Sequence, residues 1–192
     1  MTTQMEQMDE LRRPDARTRL MYKVVCAVSG AIILATITYG VATSALYSSG
    51  SIPVIGQNMV NVSWPLPYLA QPVDYLSVAS VIFFYTAIRL WQNRVAQWSH
   101  LELASLQLVA IVVAFASAYE VMYNFMLWGS YFSVLVLANA VTANPNFIAS
   151  TGSTPWNLVF ATKVFSSLFV ISGYTAYFLR KVHQVRGLPD AL

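Results

Sequence analysis

Charge is the scarcest property of this sequence. Only 10% of its 192 residues are Asp, Glu, Lys or Arg, where soluble domains carry about 25%. With 57% hydrophobic residues and a mean hydropathy of +0.55, the composition argues strongly against a soluble globular fold. Cysteine occurs once, at Cys26, which excludes a disulfide within the chain and any paired-cysteine metal motif. Glycine and proline are too few for a collagen-like or low-complexity chain. There is no Gly-rich phosphate loop, no HExxH, no GxSxG and no internal repeat. Nucleic-acid binding has nothing behind it but a pI near 9.1, and that has a simpler origin below.

What is present is four long apolar runs. A membrane-spanning helix needs roughly 20 such residues, and the runs fall at about 22–46, 73–91, 101–128 and 156–181. Each is too long for a strand and none alternates as a membrane barrel would. The expected fold is therefore an all-α integral membrane protein, an antiparallel bundle of four transmembrane helices in one membrane domain. Residues 1–21 form its tail and residues 47–72 and 129–155 its two long outer loops. The first run exceeds the 7–15 apolar residues of a secretory signal core, so it reads as a retained span.

Ten of the eleven basic residues fall in three segments: Arg12 to Lys23, the link holding Arg89 and Arg94, and Arg180 to Arg186. In a four-pass chain these lie on one side, and the two remaining loops contain no Lys or Arg at all. The positive-inside rule then makes both termini cytoplasmic in a cell membrane. All five tryptophans sit at the expected boundaries, where an indole finds both hydrocarbon and polar partners.

The link near Gln92–His100 is short, which makes the second and third spans neighbours. The first outer loop contains the stiff segment Trp64-Pro65-Leu66-Pro67. It also holds Asn61-Val62-Ser63, a glycosylation acceptor pattern. In the second, the apolar stretch Tyr131–Val141 is too short to span and reads as an interfacial helix or a continuation of the third span, with a re-entrant piece the alternative. Small residues recur at four-residue spacing, as in Ala27/Ala31/Ala35, Thr36/Gly40/Ser44 and Ala110/Ala114/Ala118, a pattern that lets helices approach closely.

Only Glu120 and Lys163 are ionisable and well inside the apolar runs. At about 1.5 Å rise per residue they lie about 12 Å and about 10 Å from Trp128 and Trp156, hence at one depth. An unpaired charge near mid-helix is penalised by roughly 2.5–3.5 kcal/mol, so a Glu120–Lys163 contact is expected. Ser117, Tyr123 and Asn124 share a helical side with Glu120, and Ser166, Ser167 and Tyr174 one with Lys163. Thr36, Tyr39, Gly40 and Thr43 make a similar stripe on the first span. With Asp74, which opens the second span, these outline a polar cluster between helices. Structural ion pairing is its leading interpretation, and a proton or ligand role the alternative. Asp74 also fits a plain role near a helix N-terminus. His100 and His183 lie at the cytoplasmic edge, where a metal with Glu102 is an outside reading. No catalytic residue, metal ligand set or cofactor is expected.

The functional expectation is a non-catalytic four-helix subunit or accessory protein of a larger membrane complex, in contact with lipid and other membrane subunits. Its rivals are a small carrier using Glu120 and Lys163 as a charge-switch pair, and a membrane enzyme with Glu120 as acid or base.

Overall fold

Helix boundaries are written into the residues that begin them. Asp15 accepts the backbone N–H of Thr18 at 3.1 Å, the N-cap arrangement that satisfies an otherwise orphaned donor. Hydrogen bonds from Thr18 hold the exposed Asp15 carboxyl below its usual range. Helix α1, Ala16–Tyr47, follows. Pro72 opens α3, Pro72–Val95, at the first helical position, where its missing N–H costs nothing. Ser99 and Glu102 form a reciprocal capping box, with Ser99 N–H donating to Glu102 Oε2 at 2.7 Å and Glu102 N–H to Ser99 Oγ at 3.3 Å. That box starts α4, His100–Leu137. The Pro155 carbonyl accepts from Leu158 and Val159 as α5, Trp156–Arg186, begins. A short helix, α2, Ile55–Asn61, lies in the first long loop.

The computed structural model describes residues 15–47, 55–63, 70–137 and 155–186, and among them there are helices and no strands. Four helices, α1, α3, α4 and α5, are long and apolar enough to cross a membrane, which marks a multi-pass membrane protein. Each outruns the span expected from hydropathy. Residues 16–21, expected as a solvated tail or a short surface helix, are helical, and α4 runs on through part of the stretch 131–141, to Leu137. The remainder of that stretch, the segment Trp64–Pro67, residues 1–14, half of the first long loop and most of the second lie outside the described residues. The helix α2 was not expected. Between α3 and α4 only residues 96–99 intervene, turned by bonds from Gln97 N–H to Arg94 O and Trp98 N–H to Val95 O.

The chain divides into two compact units. The first comprises residues up to Ile32, Val78–Ala116 and Ser167 onward; the second comprises Ile33–Ser77 and Ser117–Ser166. In the first, Val95 of α3 and Leu103 of α4 bury against Phe178, Leu179 and Val182 of α5. Gly30 of α1 lies so near the Phe83 ring that an added Cβ would stand 3.3 Å from it.

In the second unit, Met59 and Val60 of α2 and Val73 of α3 bury together, flanked by Trp156, Val159, Phe160 and Val164 of α5. The ridge Thr36/Gly40/Ser44 is buried, and α2 sits on its Gly40 and Ser44. A Cβ at Gly40 would come within 3.0 Å of the Met59 methyl, and Asn58 Nδ2 donates to Ser44 Oγ at 3.2 Å. The ridge Ala27/Ala31/Ala35 is exposed instead, and of Ala110/Ala114/Ala118 only Ala110 is fully buried.

Candidate functional site

The cation in the second unit has a different partner from the one its depth suggests. Lys163 Nζ lies 2.7 Å from Asp74 Oδ1 and donates to Gln71 Oε1 at 2.6 Å. Asp74 Oδ2 accepts the Gln71 N–H at 2.9 Å, while the Asp74 N–H returns to the Gln71 carbonyl at 2.9 Å. The carboxylate thus closes the first turn of α3 with one oxygen and holds α5 with the other. Ser77 Oγ donates to the Lys163 carbonyl at 3.4 Å, a second and longer link between the same two helices.

The reason is the direction of a helical side chain. Every Cα–Cβ bond tilts toward the helix N-terminus, so the long Lys163 stem carries its ammonium back toward the start of α5. There it meets Asp74 and Gln71 at the start of α3. The expected Glu120–Lys163 contact is therefore corrected to Asp74–Lys163: no ion pair joins Glu120 to Lys163 among the described residues. Side-chain exposures of 29% for Lys163 and 37% for Asp74 leave both groups only partly covered by protein.

The other residues of the expected cluster differ in burial. On α4, Ser117 and Asn124 are buried, Glu120 is half-buried and Tyr123 is exposed. Asn124 Nδ2 is buried with no hydrogen-bond partner among the described residues. Tyr119 and Tyr123 stack on the outer side of the helix, rings 6.3 Å apart and 9° from parallel. Ser166 is half-buried on α5 in the second unit, whereas Ser167 and Tyr174 belong to the first unit. On α1, Thr43 Oγ1 turns back to the Tyr39 carbonyl at 2.8 Å and does not reach across to another helix.

Two groupings in the first unit complete the inventory. His100 and His183 meet edge to face, ring centroids 5.4 Å apart, but the Glu102 carboxylate is engaged by Ser99. No cluster of three or more potential metal ligands occurs among the described residues. Tyr22, Tyr85 and Tyr174 come together from α1, α3 and α5, with centroid separations of 6.4 Å and 5.0 Å. The Arg89 guanidinium lies 5.8 Å from the Tyr85 ring centre. Sequence reasoning used Arg89 only as an orientation marker. The signal available was Tyr85 and Arg89 one helical turn apart, neighbours on a helix surface.

No protein-family model, no curated protein and no solved structure matches this chain.

Proposed function

We propose that the chain is a non-catalytic, four-span accessory subunit of a larger assembly in the cell membrane, with both termini cytoplasmic. The observation that carries this reading is the outer half of α4. Glu120 lies about 30 Å along α4 from His100 and about 26 Å from Leu137, near the middle of the helix. No described residue pairs with it. Beside it, Tyr119 is 66% exposed, Met122 68% and Met126 71%.

A tyrosine hydroxyl left in hydrocarbon without a partner costs roughly 2–7 kcal/mol by transfer measures. A membrane carboxylate is costly as well. The exposed face of α1 in the same unit, Leu34, Ile37 and Val41, has no tyrosine or carboxylate and only the small Thr38 hydroxyl, and it suits lipid. The α4 face suits a helix of another subunit that supplies hydrogen bonds and a cation or a proton for Glu120. The carrier reading requires Glu120 and Lys163 to face each other, and the engagement of Lys163 with Asp74 gives it no support.

A photo-crosslinking residue placed at Tyr119 or Met126 in native membranes tests the proposal. A discrete protein adduct from those positions, and lipid adducts alone from Leu34, are expected. Lipid adducts alone from all three, together with migration solely as a monomer after mild extraction, would overturn it.

A further inference from the structure

The first unit contains an open-sided cleft of about 360 Å³ between α1, α3 and α5, within the ~300–1,000 Å³ typical of small-molecule sites. Its walls are hydrocarbon, formed by Val25, Val81, Ile82, Phe84, Val170 and Ile171. One end differs. The aromatic rings of Tyr22, Tyr85 and Tyr174 line it, and Arg89, which lies outside the lining, sits just beyond them with its guanidinium 5.8 Å from the Tyr85 ring centre. Arg19 and Lys23, both exposed, flank Tyr22 on α1. The described stretches of this unit hold eight basic residues and two acidic ones, Asp15 and Glu102. Both carboxylates are occupied as helix caps.

We propose that this cleft binds one anionic membrane phospholipid, its phosphate at the Arg89 end and an acyl chain along the Val81, Ile82 and Val170 wall. A guanidinium offers paired N–H donors to phosphate oxygens, and the tyrosine rings extend the apolar wall up to it. The surplus of positive charge selects a headgroup without its own ammonium, because a choline would be repelled where an anionic headgroup is not. The hydrocarbon walls disfavour free phosphate. The cleft opens at Met21 and Val170, exposed residues of spanning helices, so its occupant enters sideways from the bilayer.

The test uses the full chain in nanodiscs of equal phosphatidylglycerol and phosphatidylcholine, followed by mild detergent stripping and analysis of the retained lipid. About tenfold enrichment of phosphatidylglycerol is expected, equivalent to about 1.4 kcal/mol. Arg89→Gln should bring retention close to the bulk ratio, Arg89→Lys should keep most of the preference, and Val170→Trp should lose both lipids by filling the slot. Should Arg89→Gln fold poorly, Arg19→Gln combined with Lys23→Gln changes only exposed groups and should still lower the enrichment. Equal retention of the two lipids by the unaltered protein overturns the proposal. So does an unchanged preference in the variants lacking positive charge.

Discussion

At the scale of single residues, the most consequential is Lys163. Its ammonium joins α5 to the capped start of α3, so Lys163→Met removes two charge-assisted contacts while leaving the Asp74 cap on Gln71 intact. Hydrogen bonds to charged groups are worth about 1.5–3 kcal/mol when buried, and partial exposure here reduces that to about 1–2 kcal/mol. Melting of the detergent-solubilised protein should fall accordingly. In a double-mutant cycle with Asp74→Asn, the losses should be less than additive because both changes remove one contact. Glu120→Gln should leave melting within about 0.5 kcal/mol of the unaltered protein. An equal loss from Glu120→Gln and Lys163→Met would restore the pairing that depth alone suggests. The sequence made the depth of these charges legible through 1.5 Å steps along each run. It did not make legible which way a flexible four-carbon stem turns, nor that Asp74 has two oxygens to give to two helices.

At the scale of elements, the four long helices were readable because a bilayer demands about 20 apolar residues in succession, and few other structures do. Their ends were less so. Hydropathy stops at the hydrocarbon boundary, whereas the helices continue until caps and breakers end them, as the Ser99–Glu102 box and Pro72 show. Helix α2 escaped because seven residues within a Ser-, Asn- and Pro-containing loop carry no periodic signal. It is held by tertiary contact, on Gly40 of α1 and beneath Trp156 of α5. This gives a paired expectation. A Cβ at Gly56 would stand 2.9 Å from Trp156 Cζ3, part of a rigid ring, while one at Gly40 would stand 3.0 Å from Met59 Cε, the end of a flexible chain, and 3.1 Å from Ile55 Cγ2, a stiffer β-branched side chain. Alanine in place of a helical glycine gains about 1 kcal/mol of propensity. Gly40→Ala should therefore be close to neutral, the propensity gain offsetting crowding against Met59 and Ile55. Gly56→Ala should lose about 1 kcal/mol or more through overpacking and shift the Trp156 fluorescence. Equal melting of the two variants would mean that α2 does not seat as described.

At the scale of the whole molecule, the open matter is which way the chain lies in its membrane, and the argument is one of charge. Lys and Arg within about 15–20 residues of span ends resist translocation. Ten of the eleven basic residues here lie on the side expected to face the cytoplasm. The eleventh, Lys163, is paired with Asp74. Reversing the molecule would carry the clusters around Arg17, Arg89 and Arg180 to the wrong face at once, with nothing in the two long loops to hold it there. Those positions are readable from sequence because the rule counts residues and requires no geometry. Single-cysteine variants on a Cys26→Ser background test the orientation. A cysteine at Ser63, which follows α2 and is exposed, should react with a membrane-impermeant maleimide on intact cells. A cysteine at Ser99, exposed in the α3–α4 link, should react only after permeabilisation. The opposite pattern would invert the topology. It would also place the cationic end of the proposed lipid cleft in the outer leaflet. The same lipid chemistry would then have to be sought there, while the α4 face at mid-membrane would remain available to a partner in either orientation.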